Sequence, residues 1–235
     1  MNGFQFHLGT TQCVALPDRA LWLPEKRILV VSDLHLGKSL RVARMGGAFL
    51  PPYENTETLL RLDHLIGKLK PATVVCLGDS FDDMGAAHDI SQDIVDWINR
   101  MQAGRVWIWI TGNHDPAPLP LGGTQCHSWF DGEVSFQHIA DPSARLEISG
   151  HFHPKTTVHA KGRSLSRPCF LLDKDRVIMP AFGTFTGGLR ADSPELATLM
   201  KNNALAVLTG KTAVVVPLSS AQKHSHQEHI RLRER

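Results

Sequence analysis

The sequence predicts an α/β fold in which two β-sheets pack face to face and helices lie outside them. Short runs rich in Val, Ile, Trp and Phe recur along the 235 residues, and amphipathic helical patterns separate the early runs. The second half of the chain consists mainly of strand-like runs. Strand–helix units followed by further strands are typical of such a sandwich.

The strand candidates are short apolar runs bounded by polar residues, glycine or proline. In chain order they are FQFHL, CVAL, ILVVSD, TVVCLG, RVWIWIT, EVSFQHI, RLEIS, TTVHA, CFLLD, ALAVL and TAVVVP. Their β-branched and aromatic side chains fit the surface of a sheet. LTGKTAV contains GKT, but a phosphate-binding loop needs a glycine where Leu205 stands, so we interpret this stretch as a turn between two strands.

Two amphipathic helices are predicted between the early strands, over about residues 54–69 and about residues 90–101. Each stretch carries apolar residues three or four positions apart, which places them on one face of a helix. These positions are Leu59, Leu62, Ile66 and Leu69 in the first helix and Ile94, Ile98 and Met101 in the second.

The composition is that of an ordinary globular protein. Hydrophobic residues make up 42% of the chain, charged residues make up 20%, and the formal net charge is +2. That charge permits a nucleic-acid partner without arguing for one. No apolar run approaches the roughly 18 residues of a membrane span, so we expect no membrane partner.

We expect a single domain over residues 1–218 and a polar, flexible tail over residues 219–235. The N-terminus has no signal-peptide pattern. The cysteines are scattered and form no CxxC pair, which is typical of a reducing compartment and predicts a cytoplasmic location. They are Cys13, Cys76, Cys126 and Cys169.

Metal-binding residue types directly follow five of the strand candidates. They are Asp33 and His35 after ILVVS, Asp79 after TVVCLG, Asn113 after RVWIWIT, His138 after EVSFQ, and His151 and His153 after RLEIS. Sites in α/β sheets gather at the carboxyl ends of strands. Residues two apart in extended chain point the same way, so each DxH or HxH pair should face one place. Any one of these motifs arises often by chance, but their order and placement predict a metal site.

Three glycines and one competing histidine bear on this site. Gly78, Gly112 and Gly150 each stand just before a ligand candidate, where glycine permits a sharp turn and a close approach of the backbone. His127 is the alternative to His138, which we favour because it ends the strand candidate before RLEIS. All the candidate donors are nitrogen or oxygen, which suits manganese, iron, zinc, cobalt or nickel.

The ordered series D-x-H, GD, GNHD, H and GHxH resembles the calcineurin-like metallophosphoesterases over about residues 28–153. SDLHLGK, GHFHPK, GRSLSRPCFLLD and VIMPAFGTFTGGL further resemble a bacterial subgroup, the ligase-associated DNA damage response endonucleases of the PdeM type. The resemblance implies a metallophosphoesterase-type double β-sheet sandwich and a nuclease or phosphodiesterase linked to DNA repair. It also implies DNA or RNA as substrate, and the subgroup's name implies a functional association with a DNA ligase.

The resemblance also assigns roles to the site residues. Two divalent metal ions, typically manganese in this family, lie side by side, and a hydroxide bridging them attacks phosphorus. Asp33, His35 and His153 hold the first ion, Asn113, His138 and His151 hold the second, and Asp79 bridges both. His114 stabilises the transition state or protonates the leaving oxygen. Asp115 either orients His114 or caps a turn.

A basic stretch follows the first motif. Lys38, Arg41 and Arg44 are spaced to share one face of a helix that starts beside the metals, and we expect them to hold phosphates that flank the scissile bond. The alternatives are a solvated helix face or a mobile loop, since glycines and prolines follow at residues 46–52. For the whole protein, the alternatives are a phosphomonoesterase or nucleotide hydrolase, and a metal-binding module without catalysis.

Overall fold

The computed structural model describes residues 2–47, 53–117, 119, 121–160 and 163–218. Two mixed β-sheets pack face to face with helices outside them, which confirms the predicted α/β sandwich. The predicted tail lies outside the described residues, so the domain boundary at residue 218 stays a prediction. No helix in the described part of the chain is long and apolar enough to cross a membrane.

The first sheet is built from the N-terminal half of the chain. Its strands, side by side in chain order, are β1 (Phe4–Leu8), β2 (Thr11–Ala15), β3 (Leu21–Leu23), β4 (Ile28–Val31), β5 (Thr73–Leu77), β6 (Val106–Ile110) and β7 (Thr124–Cys126). Strands β1 to β4 are antiparallel, and β4 to β7 are parallel. The connections contain α1 (Lys38–Arg44), α2 (Glu54–Leu69), α3 (Met84–Asp89) and α4 (Gln92–Gln102).

The second sheet follows in the C-terminal half. Its elements are β8 (Ser128–Asp131), β9 (Val134–Gln137), β10 (Glu147–Ser149), β11 (Lys155–Ala160), β12 (Arg163–Leu172), β13 (Arg176–Ile178), β14 (Leu205–Leu208) and β15 (Val214–Pro217), with α5 (Pro194–Leu199) outside. The strand order is β15-β14-β12-β13-β10-β9-β8, and β11 pairs with β12 as a hairpin. Because β14 and β15 pair antiparallel, the turn predicted around GKT is confirmed.

Apolar layers hold these elements together. Val75 and Phe136 belong to the core between the two sheets. Leu62 of α2 packs in the layer between the first sheet and its helices, and Leu171 and Leu196 pack between the second sheet and α5. Each such side chain contributes on the order of 1.5–3 kcal/mol by leaving water. The strands therefore form a rigid support for the loops at their ends.

The loops that follow β4, β5 and β6 lie at one edge of the first sheet, because these strands are parallel. Strands β9 and β10 are also parallel, so the loops after them share an edge of the second sheet. Hydrogen bonds join the two edges: the N–H of His151 donates to Asp33 Oδ2 at 3.1 Å, and the N–H of Phe182 donates to the carbonyl of Ser32 at 2.7 Å.

Candidate metal centre

The residues predicted to bind metal meet where these loops converge. A first cluster consists of Asp33, His35 and His153, and a second cluster consists of Asp79, His138 and His151. Within each cluster the ligand atoms lie within 4.8 Å of one another. Each cluster draws on both sheets, because Asp33, His35 and Asp79 follow strands of the first sheet and the other histidines follow strands of the second.

In the first cluster, the atoms that could bind a metal ion face one another. His153 Nε2 lies 3.0 Å from Asp33 Oδ1, and His35 Nε2 lies 3.5 Å from His153 Nε2. Asp33 is fully buried, and its Oδ1 faces two imidazoles, with His153 Nε2 at 3.0 Å and His138 Nδ1 at 4.0 Å. A buried carboxylate oxygen among imidazole nitrogens is a suitable ligand for a divalent cation.

The second cluster converges on His138 Nε2. That nitrogen lies 3.0 Å from Asn113 Oδ1, 3.2 Å from His151 Nδ1 and 3.3 Å from Asp79 Oδ2. Burial opposes charge on His138, but Asp79 and Asp33 outweigh it and raise the pKa of His138 to about 9. Burial likewise opposes charge on Asp79, yet its contact with His138 lowers the pKa of Asp79 to about 2. A bound cation would take the place of the proton on His138.

The donor chemistry of both clusters fits divalent metal ions. Each cluster combines one carboxylate with two imidazoles, and Asn113 adds an amide oxygen to the second. Imidazole and carboxylate ligands together suit transition metals such as manganese, iron and zinc. His127, the alternative to His138, belongs to neither cluster, and its Nδ1 lies 3.4 Å from Thr111 Oγ1.

The backbone of the ligand candidates is left-handed, not extended. The φ angles are 54° for Asp33, 45° for His35, 47° for Asp79, 70° for His151 and 46° for His153. Outside glycine such angles are uncommon, and each costs on the order of 1–3 kcal/mol. The paired side chains converge as predicted, but the predicted cause, an extended backbone, was wrong. The strands end before these residues, and left-handed turns direct the side chains into the clusters.

Close approach of the backbone explains the glycines. A Cβ on Gly150 would overlap Ser32 Oγ, and a Cβ on Gly112 would overlap Asp79 Oδ1. At Gly78, a Cβ would lie 2.5 Å from His138 Nδ1. The predicted role of these glycines is confirmed, because any larger residue would displace a ligand candidate or its neighbour.

Asp82 is a site residue that the sequence analysis missed. Its Oδ1 lies 2.9 Å from His35 Nδ1, and its side chain is only 1% exposed. This contact fixes the ring so that Nε2 faces the first cluster, as outer carboxylates commonly do for metal-binding histidines. Burial opposes charge on Asp82, but His35 and Lys38 outweigh it and hold its pKa well below the usual range. The available signal was the second carboxylate of GDSFD, three residues after Asp79.

His114 lies beside the first cluster. Its ring packs edge-on against His35 with centroids 5.1 Å apart, and its Nδ1 lies 2.6 Å from the carbonyl oxygen of Asp82. The carbonyl can only accept, so Nδ1 carries a proton and donates it. Nε2 is therefore the ring nitrogen that remains free to contact a substrate.

Asp115 binds backbone and not His114. Its carboxylate accepts hydrogen bonds from the N–H groups of Asp79 at 3.0 Å, Ser80 at 2.7 Å, Phe81 at 3.2 Å and Gly112 at 2.9 Å. These contacts correspond to the turn-capping alternative and not to orientation of His114, whose Nδ1 is already held by Asp82. Burial raises the pKa of Asp115 to about 6 despite these N–H donors. Asp115 thus links the Asp79 loop to the Gly112 loop.

The cations of α1 are paired with carboxylates. Lys38 Nζ lies 3.6 Å from Asp82 Oδ1, and Arg41 Nη1 lies 3.2 Å from Asp82 Oδ2. Arg44 contacts Asp83 at 2.6 Å and Asp89 at 2.9 Å. The predicted helix is confirmed, but its basic face is turned toward acidic residues at and near α3. Its role in binding substrate stays a prediction.

Comparison with known proteins agrees with this geometry. The sequence profile of the calcineurin-like phosphoesterases matches residues 26–161. A crystal structure of the Pseudomonas putida nuclease MPE is similar, with a TM-score of 0.72 and 26% identity over 91% of this chain and 100% of that one. The E. coli phosphoesterase Yfce aligns with 10% identity and a TM-score of 0.37 over 81% and 98% of the two chains. No curated protein matches the sequence.

Proposed function

The chain belongs to the calcineurin-like phosphoesterase family, and from this premise we propose that it hydrolyses phosphodiester bonds in nucleic acid with two divalent metal ions. The observation that carries the proposal is the pair of donor clusters, each with a carboxylate and two imidazoles at adjoining strand ends. Similarity to the nuclease MPE, which extends over the whole of that chain, favours a nuclease among phosphoesterases.

Each donor has a proposed role. Asp33, His35 and His153 would hold one ion, and Asn113, His138 and His151 would hold the other. The family resemblance implies that Asp79 would be shared between them. When bound, the two cations supply Lewis acidity to the phosphoryl group and acidify water. Manganese is the metal we propose, because the family resemblance favours it and the donors accept it.

The chain's own residues position these donors and handle a proton. Asp82 holds His35 through Nδ1, and the carbonyl of Leu77 lies 2.8 Å from His138 Nδ1, so both rings present Nε2 to the clusters. We propose His114 as the general acid. With Nδ1 donating to a carbonyl, its Nε2 proton is the one free to reach the leaving oxygen of the substrate.

A substrate panel tests the proposal. The purified protein is stripped with a chelator, reloaded with manganese, and assayed on plasmid DNA, single-stranded DNA, RNA, bis-p-nitrophenyl phosphate and p-nitrophenyl phosphate. We expect no turnover after stripping, recovery with manganese, and faster hydrolysis of diesters than of the monoester. Preference for the monoester or for nucleotides would support the alternative phosphatase, and full activity of the stripped protein would contradict metal dependence.

An association with a DNA ligase is part of the proposal on the subgroup resemblance alone. Co-purification of the tagged protein with the ligase from cells that contain both would support it. Cleavage products whose ends a ligase can join after processing would explain why the two proteins act together.

A further inference from the structure

A cavity of about 360 Å³ opens beside the second cluster. Asn113 and His138, two of the proposed ligands, form part of its wall. The rest of the wall comes from the chain at and after the ends of β6, β7 and β9, and it includes Thr111, Pro116, His127, Gln137 and Ile139. Cavities of this volume hold small organic groups. The space is therefore sufficient for a ring-bearing group attached to a phosphate at the metal centre.

Apolar side chains form one part of the wall. Ile139 directly follows His138 in the chain and is 48% exposed. Pro116 is exposed in the loop that carries Asn113. An exposed aliphatic side chain is stabilised when an apolar group covers it and removes it from water. Ile139 and Pro116 therefore favour a ligand with an apolar face, such as the face of a planar ring.

Polar side chains add a small number of hydrogen-bonding groups. Gln137 Nε2 donates to the buried carboxylate of Glu147 at 2.7 Å, which fixes the amide and leaves Gln137 Oε1 as an acceptor. His127 Nδ1 lies 3.4 Å from Thr111 Oγ1, which leaves Nε2 of this exposed ring as the nitrogen that can contact a ligand. An apolar wall with a few fixed polar groups is typical of sites that recognise one small molecule or group.

The position of His114 indicates which side of a substrate would enter the cavity. His114, the proposed general acid for the leaving oxygen, packs against His35 of the first cluster. The cavity instead adjoins Asn113 and His138 of the second cluster. A phosphate held between the clusters would thus direct its leaving group toward His114 and its other ester group toward the cavity.

We propose that this cavity, called here the Ile139 pocket, is a specificity pocket for the ester group that stays on phosphorus. In a nucleic-acid substrate it takes the base of the nucleotide on the non-leaving side. Ile139 and Pro116 cover the face of the ring, and His127 and Gln137 contact its polar edge. This inference rests on the proposed phosphodiesterase function and adds to it a preference for diesters that carry a ring on the non-leaving side.

Paired compounds that differ in the ring test the Ile139 pocket. Thymidine 3′-phosphate, thymidine 5′-phosphate and deoxyribose 5-phosphate are titrated into the metal-loaded, full-length protein by isothermal calorimetry. In parallel, hydrolysis of the 3′- and 5′-(p-nitrophenyl phosphate) esters of thymidine is compared with hydrolysis of methyl p-nitrophenyl phosphate, which has the same leaving group.

The test variants are Ile139→Ala and His127→Ala. Both side chains are exposed, so neither change removes a core contact. The matched controls are Val106→Ala and His64→Ala. Val106 is 52% exposed at the start of β6, the end of that strand away from the metal centre, and His64 is exposed on α2.

We expect the wild type to bind at least one thymidine phosphate about 10- to 100-fold more tightly than deoxyribose 5-phosphate, because the ring is buried in the pocket. The matching thymidine ester should be hydrolysed with a higher kcat/KM than the methyl ester. Ile139→Ala should reduce the advantage of the ring about 3- to 10-fold through lost apolar contact. His127→Ala should reduce it about 2- to 10-fold through a lost hydrogen bond, and the controls should keep the wild-type ratio.

Three results would overturn the inference: no advantage of the ring in the wild type, an advantage that is unchanged in both test variants, or an equal loss in test variants and controls. Failure of the proposed function would look different. In that case the thymidine phosphates would bind through the Ile139 pocket, but the metal-loaded wild type would hydrolyse no diester.

Discussion

Two basic regions flank the metal centre, and they differ in what neutralises them. On α1, each of Lys38, Arg41 and Arg44 contacts a carboxylate. Around the loop of residues 182–189, called here the 182–189 loop, Arg19 contacts the carbonyl of Gly183 and Lys155 contacts that of Thr186. A carboxylate cancels charge, whereas a carbonyl satisfies the donor and leaves the charge in place. The number of basic residues in a stretch therefore does not predict where a polyanion binds.

The α1 cations serve the metal centre indirectly. Lys38 and Arg41 hold Asp82, and Asp82 holds His35. Their charge stabilises the buried carboxylate that orients a ligand candidate. The 182–189 loop instead contacts the first cluster through backbone, because the N–H of Gly183 donates to the carbonyl of Asp33 at 3.0 Å.

Variants at the metal centre, which lies between the two basic regions, should have the largest effects on metal content and activity. Asp79→Asn should lower the bound metal, because Asp79 is the carboxylate of the second cluster. His114→Ala should keep the metal and lose roughly 10²–10⁴-fold in rate if His114 is the general acid. Elemental analysis and turnover of bis-p-nitrophenyl phosphate measure the two effects. Metal loss in His114→Ala would reverse these assignments.

Asp82→Asn would make α1 resemble the 182–189 loop, because it removes the carboxylate that neutralises Lys38 and Arg41. It removes the charge that pairs Lys38 and Arg41 and weakens the support of His35. We expect metal affinity or activity to fall about 10- to 100-fold, the range seen when such supporting carboxylates are lost. Binding of duplex DNA to the same variant should rise, since the α1 cations are released. A titration with manganese and DNA anisotropy check both directions, and unchanged metal affinity would argue against the role of Asp82.

Replacing Lys38, Arg41 and Arg44 together with alanine should have a smaller effect. We expect hydrolysis of DNA and of bis-p-nitrophenyl phosphate to fall by the same few-fold factor, because the three cations are themselves partly exposed to solvent and ion pairs in contact with water contribute only about 0–1 kcal/mol each. Comparison of KM and salt dependence for the two substrates measures this. A selective rise in KM for DNA with a flatter salt dependence would instead favour the predicted phosphate-binding ridge.

The smallest effect concerns stability. Phe185→Asn relieves a left-handed conformation at a residue that is 44% exposed and loses little burial. We expect its free energy of unfolding to rise by about 0.5–1 kcal/mol, within the usual cost of that conformation. Chemical denaturation of wild type and variant gives the value. A fall in stability would mean that the ring packs against the rest of the fold.

Long periodic patterns and ordered motifs were predictable from the sequence. Helix α2 begins and ends where the spacing of Leu59, Leu62, Ile66 and Leu69 placed it. The motifs identified donors that the structure brings together. Helices α3 and α5 and strands β3, β7, β8 and β13 were not predicted, because these short elements depend on neighbours distant in sequence.

The contacts that hold the ligand candidates in place were harder to predict from the sequence. The sequence offers a second carboxylate in GDSFD, but it does not show that His35 contacts Asp82 or that Asp115 binds four N–H groups from two loops. Such contacts depend on loop conformation, which local patterns leave open. The left-handed angles of the donors were missed for the same reason, since only tertiary packing imposes a strained angle on aspartate and histidine.

Because each donor cluster takes ligands from both sheets, a bound metal ion also acts on folding equilibrium. An ion shared by Asp33 and His153 would tie the loop after β4 to the loop after β10, and unfolding would have to release it. By mass action, free metal at 100 times its dissociation constant adds about 2.7 kcal/mol to the stability of the folded chain. The same ion offsets the strain and repulsion of the donors that hold it. The metal supply of the cell would thereby set both how much of this protein is active and how much of it stays folded.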